Sequence, residues 1–179
     1  VAYADHQDYD FFRSDWSVAV PVGPVNSPAA EGCPIETPDG LSLMFASTRP
    51  GGVGGNDIWV SDRDSVAAAW QEPRNLGAPI NSGAADFCPT PVGRSLYFVS
   101  ERGGVAGGPV PCGGGDIYLS RQSPAGGWSA PALLKCAPEG PNFPGAERSP
   151  SLVETVFDTY LFYSSTGNGS TSDIYVSRL

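Results

Sequence analysis

The chain has 179 residues, including 23 glycines and 18 prolines, and its formal net charge at pH 7 is −9. Such a length is typical of a single domain. An acidic chain without a basic stripe is a poor partner for nucleic acid, because phosphate binding needs clustered Lys and Arg. No apolar run approaches the roughly 20 residues that a membrane-spanning helix requires, so no membrane span is predicted.

The predicted elements are short β-strands, because runs rich in Val, Phe, Tyr and Trp are bounded by Gly, Pro, Asn and Asp. Residues 1–15 are predicted to be an N-terminal extension with a degenerate strand, and residues 16–179 the main unit. The predicted strands of this unit are, in chain order, one from Trp16, 31–37, 42–47, 57–62, one from Trp70, 86–91, 95–100, 116–121, one from Trp128, 147–153, 159–165 and 173–178. Helical periodicity is nearly absent, so the fold class is predicted to be all-β.

These strands belong to a unit that occurs three times, near residues 16–69, 70–127 and 128–179. Each copy contains an Asp-Ile-aromatic triplet at the start of its third strand. The three triplets begin at Asp57, Asp116 and Asp173, and the copies themselves begin at Trp16, Trp70 and Trp128. A fixed period of this length indicates stacked or radially arranged supersecondary units.

An asparagine and an acid five residues after it recur in every copy. The pairs are Asn26 with Glu31, Asn81 with Asp86, and Asn142 with Glu147. Because they repeat in register, they are expected to ring one face and are the candidate contacts for a partner. Their recurrence also fits a structural role. As an alternative, the acids of these pairs, Glu31, Asp86 and Glu147, allow glycosidase chemistry as paired carboxylates. Tyr3, Tyr9 and Phe143 would then be the sugar-binding aromatics.

The aspartates of the triplets have two interpretations. In a structural role, a carboxylate after a glycine-rich loop accepts turn N–H groups or pairs with Arg49 and Arg102. In a functional role, Asp57, Asp116 and Asp173 are calcium candidates, since calcium prefers carboxylate and carbonyl oxygens. The structural role is favoured, and no other cofactor is predicted.

The sequence predicts no catalytic residue. His6 is the only histidine and lies in the extension, and no Gly-x-Ser-x-Gly motif is present. One histidine cannot build a two-histidine metal centre, and no Cys-x-x-Cys motif occurs.

The four cysteines fit an oxidising compartment. The start at Val1, without an initiator methionine or signal sequence, is consistent with a processed secreted form. Cys112 precedes a third strand and Cys136 follows the next strand, so adjacent antiparallel strands would bring them together as a disulfide. Cys33 and Cys88 hold equivalent places in successive copies and either bridge neighbouring first strands or remain buried thiols.

Two segments resemble TolB-type, WD40-like β-propeller repeats: residues 47–59 (STRPGGVGGNDIW) and residues 70–82 (WQEPRNLGAPINS). The resemblance covers almost the whole chain from Asp10 onward and implies four-stranded antiparallel blades around a central axis, about three in this chain. The third copy departs from the pattern, because Thr166 stands where Arg49 and Arg102 stand in the others.

Three blades are too few for an ordinary closed propeller. The chain is therefore a part of a longer polypeptide, one half of a paired six-blade ring, or a compact three-blade monomer. In each case the strand from Trp16 is expected to complete the blade that ends at Leu179, in the same chain or in a second one.

The predicted function is a non-enzymatic protein-interaction or scaffold module that is secreted, periplasmic or in the cell envelope. Such a role is what the resemblance to TolB-type domains implies. A carbohydrate-binding or carbohydrate-active propeller is one alternative, with a glycan as ligand. A structural subunit that self-associates through open blade edges is the other.

Overall fold

The structure, a computed structural model, describes residues 17–104 and 109–178. Within these ranges the chain forms a 3₁₀ turn, Gly23–Val25, and β-strands of two to eight residues. The strands are β1 Glu31–Glu36, β2 Ser42–Ser47, β3 Asp57–Asp62, β4 Arg74–Asn75, β5 Asp86–Val92, β6 Ser95–Ser100, β7 Asp116–Arg121, β8 Ala132–Leu133, β9 Glu147–Glu154, β10 Thr159–Ser165 and β11 Asp173–Arg178. No helix in the described part of the chain is long and apolar enough to cross a membrane.

The strands form three antiparallel sheets, one for each sequence repeat. Sheet 1 has the order β1-β2-β3-β4, sheet 2 the order β5-β6-β7-β8, and sheet 3 the order β11-β10-β9. The all-β prediction is confirmed, and the predicted first, second and third strands of each copy agree with the observed ones to within one residue.

The fourth strands begin later than predicted. They start at Arg74 and Ala132 instead of Trp70 and Trp128, and each is two residues long. The residues directly before them, Pro73 and Pro131, have no N–H to donate to a ladder, so regular pairing starts only after the proline. Trp16, the extension 1–15 with its His6, and the aromatics Tyr3 and Tyr9 lie outside the described residues.

The first strand of every sheet is bulged at the same place. Cys33, Cys88 and Ser149 have left-handed φ angles of 48°, 49° and 51°, and the pairing register shifts next to each of them. A proline follows each of these residues. The bulges of neighbouring sheets lie together, since the Ser149 hydroxyl is 3.9 Å from the Cys88 sulfur. The first strands of sheets 2 and 3 therefore lie side by side.

Two disulfides are present, and both connect predicted partners. Cys33 is bonded to Cys88 with a Cα–Cα distance of 4.8 Å, which links sheets 1 and 2. Cys112 is bonded to Cys136 with a Cα–Cα distance of 5.6 Å, and this bond ties the loop before β7 to the segment after β8. Disulfides of this kind indicate an oxidising environment outside the cytoplasm.

The core lies between the faces of consecutive sheets. Between sheets 1 and 2 the buried residues are Met44, Ile58, Val60, Ile80, Leu96, Phe98 and Tyr118. Between sheets 2 and 3 they are Tyr97, Ile117, Leu161 and Tyr163. Alternate side chains of one strand point to opposite faces, so sheet 2 contributes Phe98 to one core and Tyr97 to the other.

The loops before β3 and β7 approach the next sheet at very short range. A Cβ atom on Gly54 would lie 2.1 Å from the carbonyl oxygen of Ala84 and 2.3 Å from that of Ser82. A Cβ atom on Gly113 would lie 2.0 Å from the carbonyl oxygen of Gly145. No side chain fits at such distances, so these two glycines set the separation of the sheets.

Replacing Gly54 by alanine is expected to lower the free energy of unfolding by about 1–3 kcal/mol, because backbone has to move to admit the methyl group. Gly55 is the control, since its added Cβ would meet nothing within 4 Å. Urea unfolding of Gly54→Ala and Gly55→Ala measures the difference. Equal midpoints for the two variants would show that the close approach is not needed.

Candidate functional site

Buried asparagine side chains join each sheet to the next one. The Asn81 Oδ1 accepts a hydrogen bond from the Ile58 N–H and its Nδ2 donates to the Ile58 carbonyl, both at 2.9 Å. Asn142 makes the same two bonds with Ile117, at 2.8 and 3.2 Å. Each amide therefore extends the hydrogen bonding of a third strand into the segment that leads to the next sheet.

The acid that follows Asn81 is held by an arginine and two serines. Asp86 is fully buried, and its Oδ2 accepts the Ser82 N–H at 2.6 Å. Its Oδ1 accepts the Ser100 hydroxyl and the Arg102 Nη2, the latter at 2.7 Å. Arg102 also donates to the Ile80 carbonyl, so one guanidinium satisfies both the acid and the segment before β5.

Glu31 has the same kind of surroundings in sheet 1. It accepts hydrogen bonds from the hydroxyls of Ser27 at 2.5 Å and Ser47 at 3.1 Å, and from Arg49 at 3.0 Å. Arg49 also donates to the Val25 carbonyl. Partial burial acts to raise the pKa of Glu31, but these hydrogen bonds outweigh it and lower the pKa.

Asp57 and Asp116 accept turn N–H groups, which is one of the two structural roles considered above, and neither of them is ion-paired with Arg49 or Arg102. The Asp57 Oδ1 accepts the Gly54 N–H at 3.1 Å, and its Oδ2 accepts the Val53 N–H and, at 3.0 Å, the Asn75 side-chain amide. The arginines are occupied by the acids that begin the first strands.

The junction of sheets 2 and 3 lacks some of these partners. Asp116 Oδ2 accepts the N–H groups of Cys112 at 2.9 Å and Gly113 at 3.4 Å, but Asp116 Oδ1 has no partner among the described residues. The Glu147 Oε1 accepts the Ser165 hydroxyl at 2.7 Å, and its Oε2 is likewise without a partner in the described part. Burial is the main cause that raises the pKa of both Asp116 and Glu147. Asp173 is exposed.

Most members of the predicted partner-binding ring are buried. Of its six members, four are at most 2% exposed: Asn81, Asp86, Asn142 and Glu147. Only Asn26 and Glu31 keep exposed surface, so a contact with a partner stays a prediction for these two alone. The same burial removes Asp86 and Glu147 from contact with a glycosidic bond.

The three calcium candidates do not come together as one site, because they begin strands of three different sheets. In residues 17–104 and 109–178, no group of three or more His, Cys, Asp or Glu side chains is placed to hold a metal ion. Phe143, the described member of the predicted aromatic set, is half-buried and packs on Tyr175 with ring centroids 4.8 Å apart.

An open cleft between two sheets was not predicted from the sequence. It has a volume of about 690 Å³ and lies between sheets 1 and 2, at the end where their hairpin turns meet. Its lining includes Asp39, Arg74, Gln122 and Trp128. These residues belong to segments of both sheets that are far apart in the sequence, so no local motif marks the cleft. The only sequence feature that points to it is the pair of equivalent turns at 38–40 and 92–94.

Comparison with known proteins gives no family assignment, because no protein-family model matches the chain and no curated protein matches it. The resemblance to TolB-type propeller repeats therefore stays a prediction that rests on the repeated residues.

Replacing Arg102 by methionine is expected to lower the free energy of unfolding by about 3–5 kcal/mol, because Asp86 would remain buried without its cation. Arg94→Met is the control, since Arg94 donates only to the Gln122 carbonyl at the surface. Urea unfolding compares the two variants. An additional Asp86→Asn substitution should restore part of the loss, and no loss in Arg102→Met would contradict the assigned role.

Proposed function

We propose that this chain is a non-enzymatic β-propeller module that binds a protein partner outside the cytoplasm, in a secreted, periplasmic or envelope setting. Three antiparallel sheets packed face to face in chain order support the blade interpretation. The recurrent polar residues hold sheets together, which supports a scaffold over an enzyme. Two disulfides support the compartment.

The observation that carries the proposal is the uncovered face of sheet 3. Phe162, Ile174 and Val176 are 41%, 77% and 56% exposed, whereas Ile58 and Ile117, which hold the place of Ile174 in sheets 1 and 2, are 0% exposed. In those sheets the face is covered by the next sheet. An apolar face of this kind on a soluble protein marks an interaction surface.

The edge of sheet 3 is open as well. β3 pairs with β4 and β7 with β8, but within the described residues β11 has only β10 as a neighbour. Unpaired N–H and C=O groups on an edge strand accept a further strand from another chain. The open edge and the apolar face together favour a partner that supplies an extended segment.

A second copy of the chain offers such a segment. Residues 17–22 belong to no helix or strand, and Val18 and Val20 are 86% and 77% exposed. Counted from the repeat tryptophan, Val20 holds the place of Arg74 in β4, which pairs with Val60. By the same register Val20 of one copy would lie opposite Val176 of the other. Reciprocal exchange closes a two-fold dimer.

The loop before β11 limits how the partner approaches. Ser170 stands three residues before Asp173, where Gly54 and Gly113 stand in the other copies. A side chain there prevents the close backbone contact that the glycines allow. The partner is therefore expected to meet sheet 3 through the edge of β11 and its apolar side chains, and less through this loop.

Light scattering is expected to give a molar mass near twice the 18.6 kDa of one chain. Val176→Lys should dissociate the dimer, because paired strands would then bury a charge. Val66→Lys is the control, a substitution at an exposed valine outside sheet 3. Combining Val20→Lys with Val176→Glu should restore the dimer. A monomer at high concentration would show that the partner is not a second copy.

Carbohydrate binding is a second candidate function, and the cleft between sheets 1 and 2 favours it. The cleft combines the partly exposed indole of Trp128 with polar groups of Asp39, Arg74 and Gln122, which suits stacking on a sugar ring and bonding to its hydroxyls. The buried carboxylates do not line it, so binding without hydrolysis is expected.

A glycan array tests this candidate. If the cleft binds a glycan, Gln122→Ala should weaken binding about 5- to 13-fold, since a lost hydrogen bond to a bound ligand costs about 1–1.5 kcal/mol. Gln71→Ala is the matched control, because Gln71 bonds only to Asp64 through its exposed side-chain amide. Absence of binding by the folded wild-type protein, or equal loss in both variants, would reject the candidate.

A further inference from the structure

Two buried carboxylates lie next to each other where sheet 2 meets sheet 3. Gly115 and Ala146 form a parallel bridge, and the Glu147 N–H donates to the Gly115 carbonyl at 2.7 Å. Asp116 and Glu147 are the next residues on the two segments, so their side chains leave the paired backbones on the same side. The backbones of paired segments are about 5 Å apart.

The same arrangement between sheets 1 and 2 is fully bonded. There the carboxylates are Asp57 and Asp86, and the Asp86 N–H donates to the Asn56 carbonyl at 2.6 Å. All four carboxylate oxygens accept hydrogen bonds. Two side chains add further bonds there: Asn75 donates to Asp57, and Arg102 donates to Asp86.

Both of these donors are replaced between sheets 2 and 3. The strand register places Leu133 opposite Tyr118, as Asn75 is opposite Trp59, so an apolar side chain stands in place of the amide. Gly167 stands in place of the arginine, because its N–H donates to the Ser165 hydroxyl as the Arg102 N–H donates to that of Ser100.

Two carboxylate oxygens at this junction have no partner among the described residues: Asp116 Oδ1 and Glu147 Oε2. Their residues are 1% and 0% exposed, so solvent does not replace the missing donors. Two buried negative charges without an ion pair are strongly unfavourable. The Arg148 guanidinium nearby donates to the Glu147 carbonyl and pairs with Glu101, not with either of these carboxylates.

We propose that Asp116 and Glu147 form a calcium-binding site at the junction of sheets 2 and 3. The ion takes the place that the Arg102 guanidinium has at the preceding junction and balances both charges. Calcium fits because its ligands are carboxylate and carbonyl oxygens and its geometry is flexible, whereas magnesium retains several waters and fits a dry site poorly. The two oxygens without a hydrogen-bond partner, Asp116 Oδ1 and Glu147 Oε2, are its carboxylate ligands, and the bound ion ties β7 to β9.

The experiment is thermal unfolding of the chelator-treated protein with and without calcium, at constant ionic strength. Calcium at about 100 times its dissociation constant is expected to raise the Tm of the wild type by about 5–10 °C. Glu147→Gln and Asp116→Asn should lose this response. Asp173→Asn, at the exposed aspartate of the same motif in sheet 3, should keep it. Calorimetry of the wild type should show one calcium ion per chain.

An unchanged Tm of the wild type in calcium overturns the proposal. An equal calcium response in wild type and Glu147→Gln overturns it as well.

Discussion

A carboxylate buried between packed sheets has to be matched by donors, and this requirement governs how the repeats are joined. At the junction of sheets 1 and 2, Asp86 is satisfied by Ser82, Ser100 and Arg102, while Asn81 continues the bonding of β3. The polar groups thereby fix the relative position of the two sheets, and the apolar side chains around them supply the larger area of burial. The pattern explains why an asparagine, an acid and an arginine recur together.

The third copy keeps the acid but not the arginine, and it ends in an uncovered face. The two differences lie on opposite sides of sheet 3. Glu147 faces sheet 2 and is buried without a cation, whereas Ile174 and Val176 face away from sheet 2 and are exposed. Sheet 3 therefore differs from its neighbours both in its internal charge balance and in the surface it offers to another molecule.

Most strands could be predicted, because each is a short apolar run between turn residues and the repeat confirms it twice more. The start and length of β4 and β8 could not be predicted. The repeat tryptophans suggested an earlier start, but Pro73 and Pro131 cannot donate to the ladder and delay regular pairing. The candidate site was harder. Asn81 and Asp86 were recognised by their recurrence, but recurrence does not distinguish a surface ring from a buried contact. The pairing of Arg102 with Asp86, 16 residues before it, depends on the adjacent strands β5 and β6.

The sequence by itself determined the three repeats, the all-β class, the positions of the central strands and the disulfide of Cys112 with Cys136. These follow from local alternation of side chains, turn residues and the antiparallel order of neighbouring strands. Only the tertiary structure decided which polar side chains are buried and which oxygens lack donors. It also decided that Cys33 is bonded to Cys88 and that a cleft opens between sheets 1 and 2. The reason is that these properties depend on how far apart two repeats are held, which no single segment of the sequence encodes.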